Sequence, residues 1–84
     1  MAKVIVYSKE NCSYCRLAKE LLKTRNIAFE EVRVDLEPAQ LEEMLKLSQR
    51  RTVPQIFIND QPIGGYDDLA KLAKSGNLDA LLKT

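Results

Sequence analysis

The chain has 84 residues, of which 45% are hydrophobic and 30% charged, and this length and balance predict one globular domain spanning residues 1–84. Its 13 Lys and Arg against 12 Asp and Glu leave a net charge of +1, which argues against a nucleic-acid partner because phosphate binding favours a clustered positive excess. There is no histidine and there are two cysteines, so the usual zinc sites and catalysis by Ser–His–Asp or Cys–His groups are excluded within this chain.

Apolar runs in the sequence are too short to span a bilayer, and the N-terminal segment turns polar too soon for a secretory signal. We therefore expect a soluble, cytoplasmic protein with no membrane partner. Two thiols are too few to staple a disulfide-rich scaffold, and a chain of this length buries enough surface to fold without staples. The cysteines are accordingly expected to serve reactivity rather than stability.

The pattern of apolar residues predicts strands and helices in the order β-α-β-α-β-β-α. In chain order, these are a strand at 3–7, a helix from 13 to about 26, a strand at 29–34, a helix from 38 to about 49, strands at 52–58 and 61–63, and a helix from about 67 to 76. Pro38 suits a first helical position, Asp67 and Asp68 suit a helix cap, and leucines after Gly76 indicate a further turn or two. A parallel βαβ unit followed by an antiparallel hairpin predicts an α/β fold, with a four-stranded mixed sheet and helices on both faces.

The two cysteines, Cys12 and Cys15, form a CxxC motif between the first strand and the first helix, a context that indicates redox chemistry. Cys12 falls at the helix N-terminus, where free N–H groups and the positive end of the dipole favour a thiolate. Lys9 and Arg16 add positive charge nearby. We expect Cys12 to have a lowered pKa and to attack, and the more buried Cys15 to resolve.

Two other interpretations of the cysteines are open. Both could be small core residues, as most free cysteines are, but Cys12 precedes the apolar stripe and lies in a polar loop. They could also be half of a zinc site completed by another chain, although no third or fourth ligand is evident here. The redox interpretation is favoured over both.

Three further motifs accompany the two cysteines in the sequence. They are Tyr7-Ser-Lys9, Thr52-Val-Pro54-Gln-Ile-Phe-Ile58 and Gly64-Gly65-Tyr-Asp67-Asp68-Leu69. Together with Cys12-Ser-Tyr-Cys15 they make the whole chain resemble a small bacterial-type dithiol glutaredoxin. Thioredoxins are less similar, since they usually carry Trp before their CGPC motif and this chain has no Trp. The resemblance implies a thioredoxin-like fold.

The resemblance also implies an enzyme, a glutathione-dependent thiol–disulfide oxidoreductase that acts as a monomer without a metal. Its partners would be glutathione, as co-substrate, and proteins that carry glutathione or a disulfide. Cys12 would take glutathione from the mixed disulfide, and a second glutathione would release it as glutathione disulfide. In a dithiol route, Cys15 would instead attack the intermediate and leave a Cys12–Cys15 disulfide.

A groove for glutathione is implied by the same resemblance. Its expected lining is Lys9, Tyr14, Arg51, Thr52, Val53, Pro54, Gly65, Tyr66 and Asp67. Pro54 resembles the family's cis-proline, and the Val53 backbone would pair with the cysteinyl residue of glutathione. Tyr14 would form one wall, although its place at the start of an apolar stripe also suits core packing.

The two ends of glutathione would meet different groups. Backbone N–H groups after Gly65 would receive the γ-glutamyl carboxylate, and Asp67 its ammonium group. Lys9 would face the glycine carboxylate, assisted by Arg51 and by Gln49 or Arg50. Without the resemblance, Pro54 suits an ordinary strand edge and the aspartates a simple cap.

Ser13 stands where most family members have proline, as in CPYC. Some members with serine or glycine there hold a 2Fe–2S cluster between two chains, with Cys12 of each chain and two glutathiones as ligands. A cluster carrier or sensor is therefore the alternative function, and an inactive interaction module ranks last.

Overall fold

The computed structural model describes residues 2–83. These residues form β1 (Val4–Ser8), α1 (Ser13–Thr24), β2 (Glu30–Arg33), α2 (Pro38–Ser48), β3 (Gln55–Ile58), β4 (Gln61–Gly64), α3 (Tyr66–Ser75) and α4 (Asn77–Leu82). The predicted order is confirmed, and the final leucines form α4. No helix within the described residues is long and apolar enough to cross a membrane.

The strands form one mixed sheet in the order β2-β1-β3-β4. β1 runs parallel to β2, because α1 returns the chain in the same direction, while β3 is antiparallel to both β1 and β4. The predicted four-stranded mixed sheet is confirmed. β1 lies inside the sheet, so the loop that follows it, which carries Cys12, starts from a well-supported strand.

Each face of the sheet is covered by its own group of helices. On one face, α1, α3 and α4 bury a cluster made of Val4, Val6, Ala18, Leu22, Ile56, Ile58, Leu69, Ala73 and Leu78. On the other face, α2 buries Met44 against Tyr7, Val34 and Phe57. Helices on both faces were expected, and this prediction is confirmed because alternate residues of β1 and β3 point to opposite clusters.

The starts of β3 and α3 differ from the predicted positions. β3 begins at Gln55 rather than at residue 52, since Pro54 has no N–H to offer the ladder with β1. α3 begins at Tyr66 with Gly65 as its N-cap, so Asp67 and Asp68 lie in its first turn rather than ahead of it. The segment between α2 and β3 is therefore a loop outside the sheet, and the glycine pair leads directly into α3.

Candidate active site

The cysteine pair lies at the junction between the β1–α1 loop and α1. Cys12 is the N-cap residue and is half-buried, whereas Cys15, in the first turn, is 1% exposed. The two form a disulfide with their Cα atoms 5.2 Å apart. The backbone N–H of Cys15 donates a hydrogen bond to Sγ of Cys12 at 3.2 Å. The outer sulfur is thus held by the helix N-terminus, and the inner one is shielded from solvent.

The charges around Cys12 favour its thiolate when the disulfide is reduced. The first turn of α1 contains no acidic residue, so no side chain of that turn offsets the positive end of the helix dipole. A cavity of about 510 Å³ beside the pair, here called the α1 cavity, is lined by Lys9, Glu10, Asn11, Cys12, Ser13, Cys15, Arg16, Lys19, Glu31 and Arg33. Within residues 2–83, Lys9 and Arg16 form no ion pair, while Lys19 and Arg33 are paired with carboxylates.

The pairing of Lys19 was not anticipated from the sequence. Glu31 on β2 accepts hydrogen bonds from Lys19 at 2.8 Å and from the buried hydroxyl of Ser8 at 2.6 Å. These two hydrogen bonds, that from Lys19 foremost, lower the pKa of Glu31. The network ties α1 to β1 and β2, and Lys19 and Glu31 line the α1 cavity together with the two cysteines. The one signal in the sequence is that alternate side chains of β2 point to opposite faces of the sheet, so one of its two glutamates faces α1.

The loop before β3 lies against the outer cysteine. Sγ of Cys12 is 3.8 Å from the carbonyl oxygen of Val53. The Val53–Pro54 peptide bond is cis, as the resemblance implied, and Pro54 is buried while Val53 is half-buried. The backbone at Val53 is therefore adjacent to the sulfur of Cys12.

A second cavity, of about 320 Å³, lies between this loop and the start of α3, and we call it the α3 cavity. It is lined by Tyr14, Arg50, Thr52, Val53, Pro54, Gly65, Tyr66, Asp67 and Asp68. All of the predicted groove residues except Lys9 and Arg51 line this cavity. The structure therefore brings together residues from three distant parts of the sequence.

Lys9 and Arg51 line a neighbouring cavity of about 390 Å³, the Lys9 cavity, with Val34, Asp35, Leu41, Thr52 and Val53. Because Thr52 and Val53 line both cavities, the two meet along this segment. Arg50, predicted only as a helper, lies on the α3 side instead. The neighbouring arginines thus line different cavities.

Tyr14 is 59% exposed, so the core-packing interpretation of its position is wrong. Its ring centroid lies 6.1 Å from that of Tyr66, with the planes inclined at 31°. The two rings form an aromatic wall, one from α1 and one from α3. Such a wall offers apolar contact area to a ligand in the α3 cavity.

The start of α3 is organised by Asp68, whose part in the site the sequence did not reveal. Its carboxylate accepts the Gly65 N–H at 3.0 Å and pairs with Arg50 at 3.1 Å. Gly64 has φ of +119°, and a Cβ at that position would collide with the Asp68 carboxylate. The signal that identifies Asp68 is its place three residues after the N-cap, which is typical of a capping box.

Asp68→Ala is expected to lower the free energy of unfolding at pH 7 by about 1 kcal/mol, because the Gly65 N–H loses its partner. The Arg50 pair is exposed and adds little. The Gly65 N–H, more than Arg50, lowers the pKa of Asp68 from its ordinary value of 3.8. The stabilisation is therefore full above that pH and is lost as pH falls through the lower folded-state value.

Urea unfolding at pH 7 and in acid, compared with Asp67→Ala from the same helical turn, checks this expectation. The deficit of Asp68→Ala relative to wild type should shrink in acid, and Asp67→Ala should show a smaller deficit at pH 7. A deficit that is independent of pH contradicts the assignment.

With the geometry established, comparison with known proteins identifies the family. The sequence model of the Glutaredoxin family matches residues 4–63. The chain belongs to the glutaredoxin family. Among curated glutaredoxins, Glutaredoxin 3 of Escherichia coli is 53% identical over 99% of this chain and 100% of its own length. Glutaredoxin of Neisseria meningitidis is 43% identical over 98% of both chains.

Solved glutaredoxins have the same fold. The buckwheat glutaredoxin–glutathione complex superposes with a TM-score of 0.88 at 29% identity, over 98% of this chain and 77% of that one. Glutaredoxin from Brucella melitensis gives a TM-score of 0.87 at 44% identity, over 100% of this chain and 91% of that one. The expected thioredoxin fold is confirmed. Glutaredoxins are oxidoreductases, and the Cys12–Cys15 pair is the redox centre of this one.

Proposed function

We propose that this glutaredoxin reduces protein–glutathione mixed disulfides and protein disulfides, with glutathione as its co-substrate. The observation that carries the proposal is the position of Cys12. Its sulfur lies 3.8 Å from the Val53 carbonyl, and Val53 is shared by the α3 cavity and the Lys9 cavity. A short thiol peptide can therefore lie across Val53 with its sulfur at Cys12.

The backbone of the loop before β3 suits an extended peptide. The β1–β3 ladder ends at Gln55, so Thr52 and Val53 stand outside the sheet. Exposed backbone beside a strand recognises extended peptides by main-chain hydrogen bonding. Pairing at Val53 would hold the cysteinyl residue of glutathione in place.

The charges at the two ends of the combined groove complement those of glutathione, which has a carboxylate at each end and an ammonium group at one. Lys9 and Arg51 line the Lys9 cavity and suit the glycine carboxylate. At the other end, the first N–H groups of α3 suit the γ-glutamyl carboxylate, and the exposed Asp67 suits the ammonium group. The aromatic wall of Tyr14 and Tyr66 borders the same end.

The proposed reaction is two successive thiol–disulfide exchanges. The Cys12 thiolate attacks the glutathione sulfur of the mixed disulfide, the old S–S bond breaks, and the protein substrate leaves as a thiolate. A second glutathione thiolate then attacks the glutathione sulfur on Cys12, which releases glutathione disulfide and restores the Cys12 thiolate. In the dithiol route, the Cys15 thiolate attacks the sulfur of Cys12, the group bound there in a mixed disulfide leaves as a thiolate, and the Cys12–Cys15 disulfide forms.

Turnover with two matched substrates tests the proposal. One peptide carries a mixed disulfide with glutathione, and the same peptide carries one with free cysteine. We expect kcat/KM to be at least about tenfold higher for the glutathionylated peptide, since only that substrate contacts both ends of the groove. Equal values would mean that the protein reduces disulfides without recognising glutathione.

The alternative of an iron–sulfur cluster stays a prediction. It requires a second chain and two glutathiones, and a single chain holds only its share of the ligands: within residues 2–83, no group of three or more Cys, Asp or Glu side chains is placed to hold a metal. Purification without oxygen and with glutathione, followed by absorption spectroscopy of any dimer, is the corresponding test.

A further inference from the structure

Gln55, the first residue of β3, is a buried polar side chain with an unusual set of hydrogen bonds. It is 1% exposed. Its Nε2 donates to the Thr52 carbonyl oxygen at 2.9 Å and lies 3.4 Å from the Thr52 hydroxyl. Among the residues that the structure describes, its Oε1 is the one buried side-chain oxygen or nitrogen without a hydrogen-bond partner.

An amide at this place is a poor choice for stability alone. The rest of β3 is apolar and buried, and a buried acceptor without a protein partner is unfavourable. An apolar side chain of the same size would avoid the unpaired Oε1. What it could not do is donate a hydrogen bond to Thr52.

Thr52 needs such a donor because the sheet does not hold it. The β1–β3 ladder ends at Gln55, and Pro54 supplies no N–H. Thr52 and Val53 nevertheless form the wall shared by the α3 cavity and the Lys9 cavity, next to Cys12. The amide of Gln55 reaches from the rigid strand to this otherwise free loop.

We propose that Gln55 is a positioning residue, whose side-chain amide holds the Thr52–Val53 backbone in the orientation that receives the backbone of the thiol substrate. This inference rests on the proposed glutathione-dependent function. Gln55 does not touch the reacting sulfurs, so it acts on substrate binding and leaves the chemistry at Cys12 unchanged. Holding the loop in advance removes part of the ordering cost of binding.

The test is steady-state turnover of the glutathionylated peptide by Gln55→Met, which keeps the approximate size of the side chain but has no donor. We expect KM for that peptide to rise about tenfold, with kcat within about twofold of wild type. The rate of Cys12 alkylation at each pH should be unchanged. Gln61→Met, the same replacement at an exposed position of β4, is the matched control and should leave KM unchanged.

A measurement on the unaltered protein guards against a variant that fails to fold. In the NMR spectrum, the side-chain amide hydrogens of Gln55 should exchange with solvent far more slowly than those of Gln61. Equal exchange rates would overturn the proposal, as would a Gln55→Met protein whose KM equals that of wild type. A variant whose kcat falls while KM is unchanged would overturn it too.

These outcomes separate the two proposals. If wild type does not turn over the glutathionylated peptide, or does not prefer it to the cysteinylated one, the proposed function fails and the role of Gln55 in substrate binding falls with it. If wild type shows the preference and Gln55→Met keeps the wild-type KM, only the inference about Gln55 fails.

Discussion

Cys12→Ser is expected to lower turnover of the glutathionylated peptide by at least about a thousandfold, because it removes the nucleophile itself. Cys12 is the half-buried cysteine at the helix N-terminus, and its sulfur lies 3.8 Å from the carbonyl oxygen of Val53, which lines both cavities of the groove. A serine hydroxyl at the same position is not ionised at neutral pH and cannot form the mixed disulfide.

Cys15→Ser should behave differently, retaining turnover of the same substrate within about tenfold of wild type. Cys15 is 1% exposed, so a substrate cannot approach it directly, and the monothiol route needs only Cys12. Reduction of a protein disulfide that requires the dithiol route should fall more steeply in this variant. Equal loss of peptide turnover in both cysteine variants would contradict the assigned roles.

Cys15→Ser also isolates the titration of Cys12. The rate at which Cys12 is alkylated, measured as a function of pH, should reveal a thiol with a pKa well below the free value of about 8.5. The reason is that the backbone N–H of residue 15 and the helix dipole favour the thiolate. The Lys9 and Arg16 side chains, which are unpaired within the described residues, act in the same direction. A pKa near the free value would contradict this account of activation.

Met44→Ala is the largest expected effect on stability. Met44 is the fully buried residue of α2 and packs against Tyr7, Val34 and Phe57 on the second face of the sheet. Removing its side chain leaves a cavity, and we expect the free energy of unfolding to fall by about 2–5 kcal/mol. This is a large part of the roughly 5–15 kcal/mol that stabilises a small domain.

Leu47→Ala, on the same helix, is the matched control. Leu47 is 48% exposed, so its truncation should change stability by less than about 1 kcal/mol. Denaturant unfolding of the disulfide form of each protein measures both effects. A loss of similar size in the two variants would show that α2 is not packed through Met44.

Much of this protein was predictable from its sequence, for a local reason. The spacing of apolar residues reports which side of each helix or strand is buried, and this determined the element order, the mixed sheet and the helices on both faces. The CxxC motif at a strand–helix junction likewise predicted a cysteine at the N-terminus of α1, because the helix N-terminus is itself a local feature. The motifs around Pro54 and Gly65 lie in segments that the structure brings together at the α3 cavity.

Only the tertiary structure decided which cavity or partner each side chain reaches. Arg50 and Arg51 are neighbours in the sequence, yet Arg50 meets Asp68 in α3 while Arg51 lines the Lys9 cavity. The path of the α2–β3 loop, with Gln49 in a left-handed conformation, sets these directions, and no periodic pattern describes a loop.

The same limit applies to Tyr14 and Gln55. The apolar periodicity places Tyr14 on the buried side of α1, but it does not show where along the helix the contact with the core ends. Only the structure reveals that the Tyr14 ring is exposed and lies beside Tyr66. Gln55 is a polar residue in an otherwise apolar strand. Its partner is the carbonyl oxygen of Thr52, and a hydrogen bond to the backbone cannot be predicted from residue types. The sequence by itself determined the fold and the position of the cysteine pair; the shape and charge of the cavities beside Val53 were decided by contacts between distant segments.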